Sequence, residues 1–312
     1  MNKYLKQYKW ENIKAMMRNN KADPKECHDS FKDRLVLITG ATSGIGYVTA
    51  REYAKYGSNL LVINRNEEKS QNLCTEIQNE FGVTCNYEIA DFSHLSDIHK
   101  VKDKIRESDL EIDVFIHNAG VYNTKKKFTD DDIEEVFQVD YLGAFILTYG
   151  LKEKLKAQGK ARIIFVNSEG HRFAILGIHL DDLKWDHHRY TGLKSYGSAK
   201  TAQLLSMIKF KEYFKHSGVT INAMHPGDVK TNMGENNGRS YRWFKHKFIN
   251  RKARSPEISA KALYYLGVSN DLDGVTGRFF NLTTEEDPAP PALDEEMAQK
   301  LWEKSIELGG LE

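Results

Sequence analysis

The run Arg34-Leu35-Val36-Leu37-Ile38-Thr39, followed at once by Gly40-Ala41-Thr42-Ser43-Gly44-Ile45-Gly46, restricts the folds open to this chain more than any other segment. Branched apolar residues without alternation are the mark of a parallel strand buried on both faces. Beyond the glycines, Val48, Ala50, Tyr53 and Ala54 recur at helical spacing until Gly57. Strand, glycine turn and helix form the context in which such a turn grips the pyrophosphate of a dinucleotide. Gly40 permits the tight turn, Gly44 lets the backbone approach the phosphates, and Gly46 lets the helix lie close to the sheet. Thr42, Ser43 and Ile45 complete the turn, and the unpaired N–H groups of the helix start face the anion. Glycines that merely punctuate a turn give the same spacing, so the assignment depends on the rest of the chain.

The next strand-like run, Asn59-Leu60-Leu61-Val62-Ile63, ends in Asn64-Arg65. A site that prefers NAD carries a carboxylate there, against the ribose 2′-hydroxyl. No acid stands at this position. Arg65 instead presents a planar, permanently charged fork suited to a 2′-phosphate, so the expected cofactor is NADP(H).

About 150 residues further on comes Tyr196-Gly197-Ser198-Ala199-Lys200. A free phenol is only about 0.3% ionised at pH 7.5, so a tyrosine that moves protons near neutrality needs help. Four residues along a helix, the Lys200 ammonium lies on the same face and favours the phenolate. Lowering the phenol pKa by about 2 units raises the ionised fraction roughly a hundredfold.

With these motifs in order, the chain resembles the short-chain dehydrogenase/reductase family, and within it the retinol dehydrogenase-like group. The likeness runs from about residue 30 to about residue 285. It includes Asp91 and Phe92 at the adenine, Asn118-Ala119-Gly120 after the fourth strand, and Pro226, Gly227, Val229 and Thr231 after the sixth. The resemblance implies that Tyr196 is the acid/base and that Lys200 also holds the nicotinamide ribose. It implies that Ser168, delivered to the sheet edge by Arg162-Ile163-Ile164-Phe165-Val166-Asn167, hydrogen-bonds the substrate oxygen. Dimerisation through helices flanking the central strands is common in the family, which makes a homodimer one expectation.

One position departs from the family pattern. Where an asparagine is usual, this chain has Asp140, within Phe137-Gln138-Val139-Asp140-Tyr141-Leu142-Gly143. In the family the main-chain carbonyl here supports a water leading to the lysine, and an aspartate keeps that carbonyl. An ionised Asp140 side chain near Lys200 would offset the lysine's effect on Tyr196 and move the pH optimum upward. A second reading therefore stays open: a catalytically weakened nucleotide-binding regulatory or interaction protein.

The 27 residues between Ser168 and Tyr196 exceed the dozen or so of the simplest family members, and this longer spacer points to the retinol dehydrogenase-like group. Phe173, Ile175 and Leu176 either line an apolar pocket for a lipophilic aldehyde, ketone or alcohol, or belong to the core. His171, His187 and His188 fall in no metal-binding spacing and read as a surface loop; no metal is expected.

The net charge of +1 gives no pull toward nucleic acid. Cys27, Cys74 and Cys85 are odd in number and unpatterned, as free thiols in a reducing cytoplasm would be. No stretch approaches the length of a membrane span and the start lacks the apolar block of a signal peptide, so a cytoplasmic enzyme is expected. At its N-terminus Tyr4, Leu5, Tyr8, Trp10, Ile13, Met16 and Met17 interleave with five basic residues. This amphipathic segment either contacts an anionic membrane or, the preferred reading, packs on the enzyme's own domain or a second subunit. A second basic, aromatic run spans Arg239 to Arg254, where the family carries its substrate cover; single-stranded nucleic acid is the disfavoured reading.

The resulting expectation is an α/β chain: a helical extension over residues 1–30, a Rossmann-type doubly wound domain over 31–285, and a helical extension over 286–312. The domain should hold a seven-stranded, mostly parallel sheet with helices on both faces.

Overall fold

The computed structural model describes residues 3–230, 234, 237–238 and 253–311. Thr231 and all of the second basic run except Ala253 and Arg254 lie outside them. Every apolar run named above becomes a strand. β1 (Leu35–Thr39), β2 (Asn59–Asn64), β3 (Cys85–Ile89), β4 (Val114–His117), β5 (Ala161–Val166), β6 (Val219–His225) and β7 (Phe279–Asn281) are all parallel. A two-residue strand β8 (Thr284–Glu285) folds back antiparallel on β7, giving the order β3-β2-β1-β4-β5-β6-β7-β8. The sheet thus has eight strands where seven were expected. Two residues are too few to carry an alternating pattern, and the reversal depends on Leu282 adopting φ +54°.

Both faces of β1, β2, β4 and β5 are buried, which is why their sequences do not alternate, whereas β3 at the sheet edge exposes Asn86 and Ile89. Leu37, Ile163 and Phe165 join a core under α4 (Leu95–Glu107), α6 (Gly143–Gln158), α7 (Gly192–Tyr213) and α9 (Glu295–Leu308). Their neighbours Val36, Ile38, Ile164 and Val166 pack on the other face, under α2 (Gly44–Lys55), α3 (Glu67–Phe81) and α8 (Glu257–Val268). Between β4 and α6, a single turn α5 (Glu135–Phe137) runs into a π-helical turn, Gln138–Leu142. The wider turn falls on the segment containing Asp140, a common location for functional irregularities.

The segment before β1 carries α1 (Trp10–Asn19) and is tied to the rest at several points. Tyr4 is buried and donates to Asp294, Asn19 donates to Glu286, and Arg254 donates to the Ala22 carbonyl. Its apolar residues divide, with Tyr4 inside while Leu5, Trp10 and Met17 face solvent. α8 is capped at Pro256, with no side-chain cap bond. Among the described residues no helix is long and apolar enough to cross a membrane.

Strand order reverses between β1 and β4, so the carboxyl ends of β2, β1 and β4 diverge and leave a crevice. The functional residues collect along that edge.

Candidate active site

The crevice is a cleft of about 490 Å³. The glycine turn forms one wall. Gly40 and Gly44 take φ of +71° and +57°, and a side chain on Gly46 would stand 2.2 Å from the Gly40 carbonyl oxygen. Only glycine lets α2 begin this close to β1. Three neighbours brace the turn: Gly40 N–H donates to the Ile63 carbonyl at 2.9 Å, Ala41 N–H to Asn64 Oδ1 at 2.7 Å, and Asn118 Nδ2 to the carbonyls of Thr39 and Gly40 at 3.1 and 2.9 Å. Asn118 therefore fastens the end of β4 to the turn.

Thr42, Ser43, Ile45, Arg65, Asp91 and Phe92 all line the cleft, as do Ala119 and Gly120. Asp91 is held in place by two bonds from Ser93, N–H at 2.9 Å and Oγ at 2.8 Å. Arg65 is exposed at the tip of β2. Lys69, which the motif reading missed, lines the same end from the first turn of α3, where Asn66 Oδ1 caps its N–H at 2.8 Å. Pro226, Gly227 and Val229 follow β6 outside the cleft lining.

The cleft suits a dinucleotide on a further count. Asn64 is buried at its edge with Oδ1 used by Ala41, while its Nδ2 has no protein partner. A buried amide N–H bordering a polar cleft is a donor in want of an acceptor.

Next to the cleft, Ser168, Tyr196 and Lys200 meet. α7 starts with Thr191 capping the Lys194 N–H and brings Tyr196 and Lys200 to one face, a turn apart. β5 ends at Val166, and Ser168 follows at the start of a 3₁₀ turn, Glu169–Phe173. Gly170 is what lets them touch, since a side chain there would lie 2.6 Å from the Tyr196 ring and 3.1 Å from Ser168 Oγ. Tyr122, on the cleft wall, packs its ring edge-on against Tyr196 at 5.8 Å, joining this cluster to the cleft.

Lys200 is almost wholly buried, donates to the Val166 carbonyl at 3.1 Å, and pairs with Asp140 Oδ2 at 3.5 Å. Asp140 is fully buried, and its Oδ1 accepts the Val121 N–H at 2.6 Å. Its main-chain carbonyl accepts from Gln203 Nε2 at 2.6 Å, so a side chain occupies the atom expected to support a water. Gln203 Oε1 accepts from Asn167 Nδ2, which also donates to the Lys200 carbonyl, both at 2.8 Å. Gln203 and Gly170 carried no signal in the sequence beyond their spacing from Lys200 and Ser168.

Burial dominates the electrostatics. It raises Asp140 to about 6 against the pull of Lys200, and lowers Lys200 against the pull of Asp140. The Tyr196 phenol stands above its ordinary value, chiefly through burial and then through Asp140's charge, with Ser168's hydroxyl opposing. Burial is the larger cause, and the Asp140 charge acts in the same direction, opposite to what Lys200 alone would do.

Two other expectations change. His171 lies in no surface loop: it is fully buried, and burial lowers it to about 3. Its Nε2 accepts the Ala289 N–H at 3.0 Å, which leaves Nδ1–H to donate to the Ser168 carbonyl at 2.7 Å. Phe173, Ile175 and Leu176 are not core, for each is about half exposed, on and just after the 3₁₀ turn, and none of them lines the dinucleotide cleft. His187 and His188 are exposed, with their backbone N–H groups on Asp182.

A doubly wound sheet with a glycine-turn cleft and a phenol, ammonium and hydroxyl clustered beside it defines a nucleotide-binding oxidoreductase fold. The family model for short chain dehydrogenases matches residues 34–178. Retinol dehydrogenase 13 of Homo sapiens is 35% identical over 89% of this chain and 85% of its own length. A WW domain-containing oxidoreductase of Danio rerio is 30% identical over 89% of this chain and 69% of its own. A crystal structure from Mycobacterium paratuberculosis superposes with TM-score 0.71 at 26% identity, covering 91% of this chain and 96% of that one. A short-chain dehydrogenase of Sphingobium yanoikuyae in complex with NADPH gives 0.61 at 22% identity, over 75% and 84%. The chain belongs to the short-chain dehydrogenase family, in its retinol dehydrogenase-like group, whose members are oxidoreductases that act on alcohols and carbonyls with a nicotinamide cofactor.

Proposed function

We propose that the chain is an NADP(H)-dependent oxidoreductase that interconverts an apolar alcohol and its aldehyde or ketone. The observation that carries this reading is the meeting of Ser168, Tyr196 and Lys200 beside a cleft whose far end offers Arg65 and Lys69, with Asn64 and Arg65 rather than an acid at the end of β2. In it, the glycine turn, Asp91 and Asn118 to Gly120 hold the dinucleotide, and Arg65 and Lys69 take the 2′-phosphate. The bound nicotinamide supplies or accepts hydride.

Tyr196 gives a proton to the substrate oxygen in reduction and takes one in oxidation. Its raised pKa keeps it protonated and ready to donate near neutral pH. Ser168 orients the oxygen by hydrogen bonding. Lys200, fixed by Val166 and Asp140, supplies the positive charge behind the phenol. Asp140 acts through Lys200 as a positioning residue.

The test titrates NADPH and NADH separately and then adds a panel of apolar aldehydes and ketones. Tight NADPH binding with turnover is expected. Tyr196→Phe should lower kcat by roughly 10²–10⁴-fold while leaving NADPH affinity intact. Turnover that survives Tyr196→Phe, or a preference for NADH, overturns the reading. NADPH binding without turnover across the panel and across pH favours the nucleotide-binding regulatory alternative.

A further inference from the structure

Cys74 and Cys85 carry no sequence pattern, yet the fold brings them together. Cys74 lies on the buried face of α3, and Cys85 opens β3 beyond the turn at Gly82, whose φ of +68° ends the helix. Their sulfurs stand 2.8 Å apart, Cys85 donating to Cys74. Gln78 Nε2 donates to the Cys85 carbonyl at 3.0 Å, holding this part of the helix against the strand. A disulfide needs a separation of about 2.05 Å, so bonding the pair asks for less than about 1 Å of movement.

The thiols are buried but not sealed. Both line a second cleft, of about 530 Å³, on the side of the sheet edge away from Ser168 and Tyr196, with Gln71, Thr75, Glu88 and Lys104 among its walls. None of these residues belongs to the cofactor cleft. A small polar oxidant therefore has a route to the sulfurs. The two thiols are also unequal: the bond from Cys85 draws Cys74 below its ordinary value, while the same contact and burial push Cys85 well up. Cys74 is accordingly the attacking sulfur.

We propose that Cys74 and Cys85 form a modification site in which hydrogen peroxide, or a hydroperoxide of similar size, converts the two thiols reversibly to a disulfide joining α3 to β3. The Cys74 thiolate attacks one peroxide oxygen, the O–O bond breaks, and with one proton taken up a water leaves, giving a sulfenic acid at Cys74. The Cys85 sulfur then attacks the Cys74 sulfur, the S–O bond breaks, and the hydroxide takes the Cys85 proton and leaves as a second water. Two thiols and one peroxide become one disulfide and two waters, two electrons passing from sulfur to oxygen. A dithiol reductant reverses the reaction by exchange. The bridge acts on elements that border the cofactor cleft, because Asn66 caps α3, Lys69 lies in its first turn, and β3 leads to Asp91. It also shortens the unfolded chain's excursions, which stabilises the fold.

Cys27 is the internal reference, a more exposed thiol with neither of the other sulfurs beside it. The full-length chain is exposed to a stepwise excess of hydrogen peroxide, alkylated and digested at glutamate, which separates Cys74 from Cys85 unless they are bonded. The expected result is joint loss of alkylation at Cys74 and Cys85, recovery of a linked peptide pair short of two hydrogens, and a rise in Tm that dithiothreitol abolishes. In Cys85→Ala, Cys74 should lose its protected linked form and pass to sulfenic and higher acids, while Cys27→Ala should leave the linkage intact. Wild-type protein that keeps Cys74 and Cys85 alkylatable while Cys27 oxidises overturns the proposal, as does a linkage found only between molecules. The digest of the wild-type chain decides the question even where a variant fails to fold.

Discussion

Asp140 Oδ2 lies 3.5 Å from Lys200 Nζ with both side chains shut away from solvent, so the cation behind Tyr196 is already paired. Through Oδ1 the same carboxylate holds the Val121 N–H on the cofactor cleft at 2.6 Å. One buried acid thus connects the cleft to the lysine. Asparagine at this position would keep an acceptor for Val121 but remove the charge.

Removing that charge has a defined sign for catalysis. Above about pH 6 the Asp140 carboxylate is ionised, and its charge helps hold the Tyr196 phenol above its ordinary value. In Asp140→Asn the phenol ionises at lower pH, and the alkaline limb of the pH–rate profile should move to the acid side by on the order of one unit. Steady-state rates from pH 6 to 10 on both proteins check this. A wild-type limb lying to the acid side of the variant's would contradict it.

The same acid makes stability depend on pH. Its folded-state value, about 6, lies above the ordinary 3.8, so the native state binds the proton more tightly than the unfolded chain. That contribution is complete below about pH 4 and is lost as pH rises through about 6. Asp140→Asn lacks it, so the variant should gain on the wild type between pH 4 and pH 7, by on the order of 3 kcal/mol at most. Urea denaturation of both proteins at each end of that window measures the difference, and a gain by the wild type would have the wrong sign.

On the proposed reading, cofactor choice rests on two exposed cations. Arg65 at the tip of β2 and Lys69 one turn into α3 both border the cleft, with no acid at the end of the strand to receive a ribose 2′-hydroxyl. Arg65→Ala and Lys69→Ala should each raise the NADPH Kd about tenfold, the effect of one lost charge-assisted contact, and change the NADH Kd by less than about twofold. Fluorescence titration with both nucleotides reads the ratio. Equal weakening of the two would mean that these cations do not meet a 2′-phosphate.

The strands and the glycine turn were legible because they are local: an apolar run, a required backbone shape, a helix after it. Tyr196 and Lys200 were legible because four residues along a helix is itself a contact. What stayed hidden was contact made by folding. Gln203 reaches the Asp140 carbonyl across 63 residues, and Cys74 meets Cys85 only because α3 turns back onto β3. His171 looked like a loop residue because its two partners, the Ser168 carbonyl and the Ala289 N–H, cannot be read as neighbours from its flanks. Burial's hold on the phenol was hidden for a related reason: the sequence offers Lys200 and Asp140 as neighbours of Tyr196, while burial belongs to the packed state.

Gln203 offers the sharpest test of that hidden layer. It is buried, its Nε2 donating to the Asp140 carbonyl at 2.6 Å and its Oε1 accepting from Asn167 Nδ2 at 2.8 Å. Asn167 in turn accepts the Ser168 N–H and donates to the Lys200 carbonyl, both at 2.8 Å. Gln203→Met keeps the length of the side chain and removes both hydrogen-bonding groups. It leaves one buried carbonyl and one buried N–H without these partners, at about 1–3 kcal/mol each, so a loss of roughly 2–6 kcal/mol is expected in urea denaturation. Because Asn167 then loses one of its anchors to Ser168 and Lys200, kcat should fall about tenfold with the KM for NADPH unchanged. A purely structural glutamine would show the stability loss with kcat intact, whereas a variant as stable as the wild type would mean that Gln203 does not carry the load its two bonds imply.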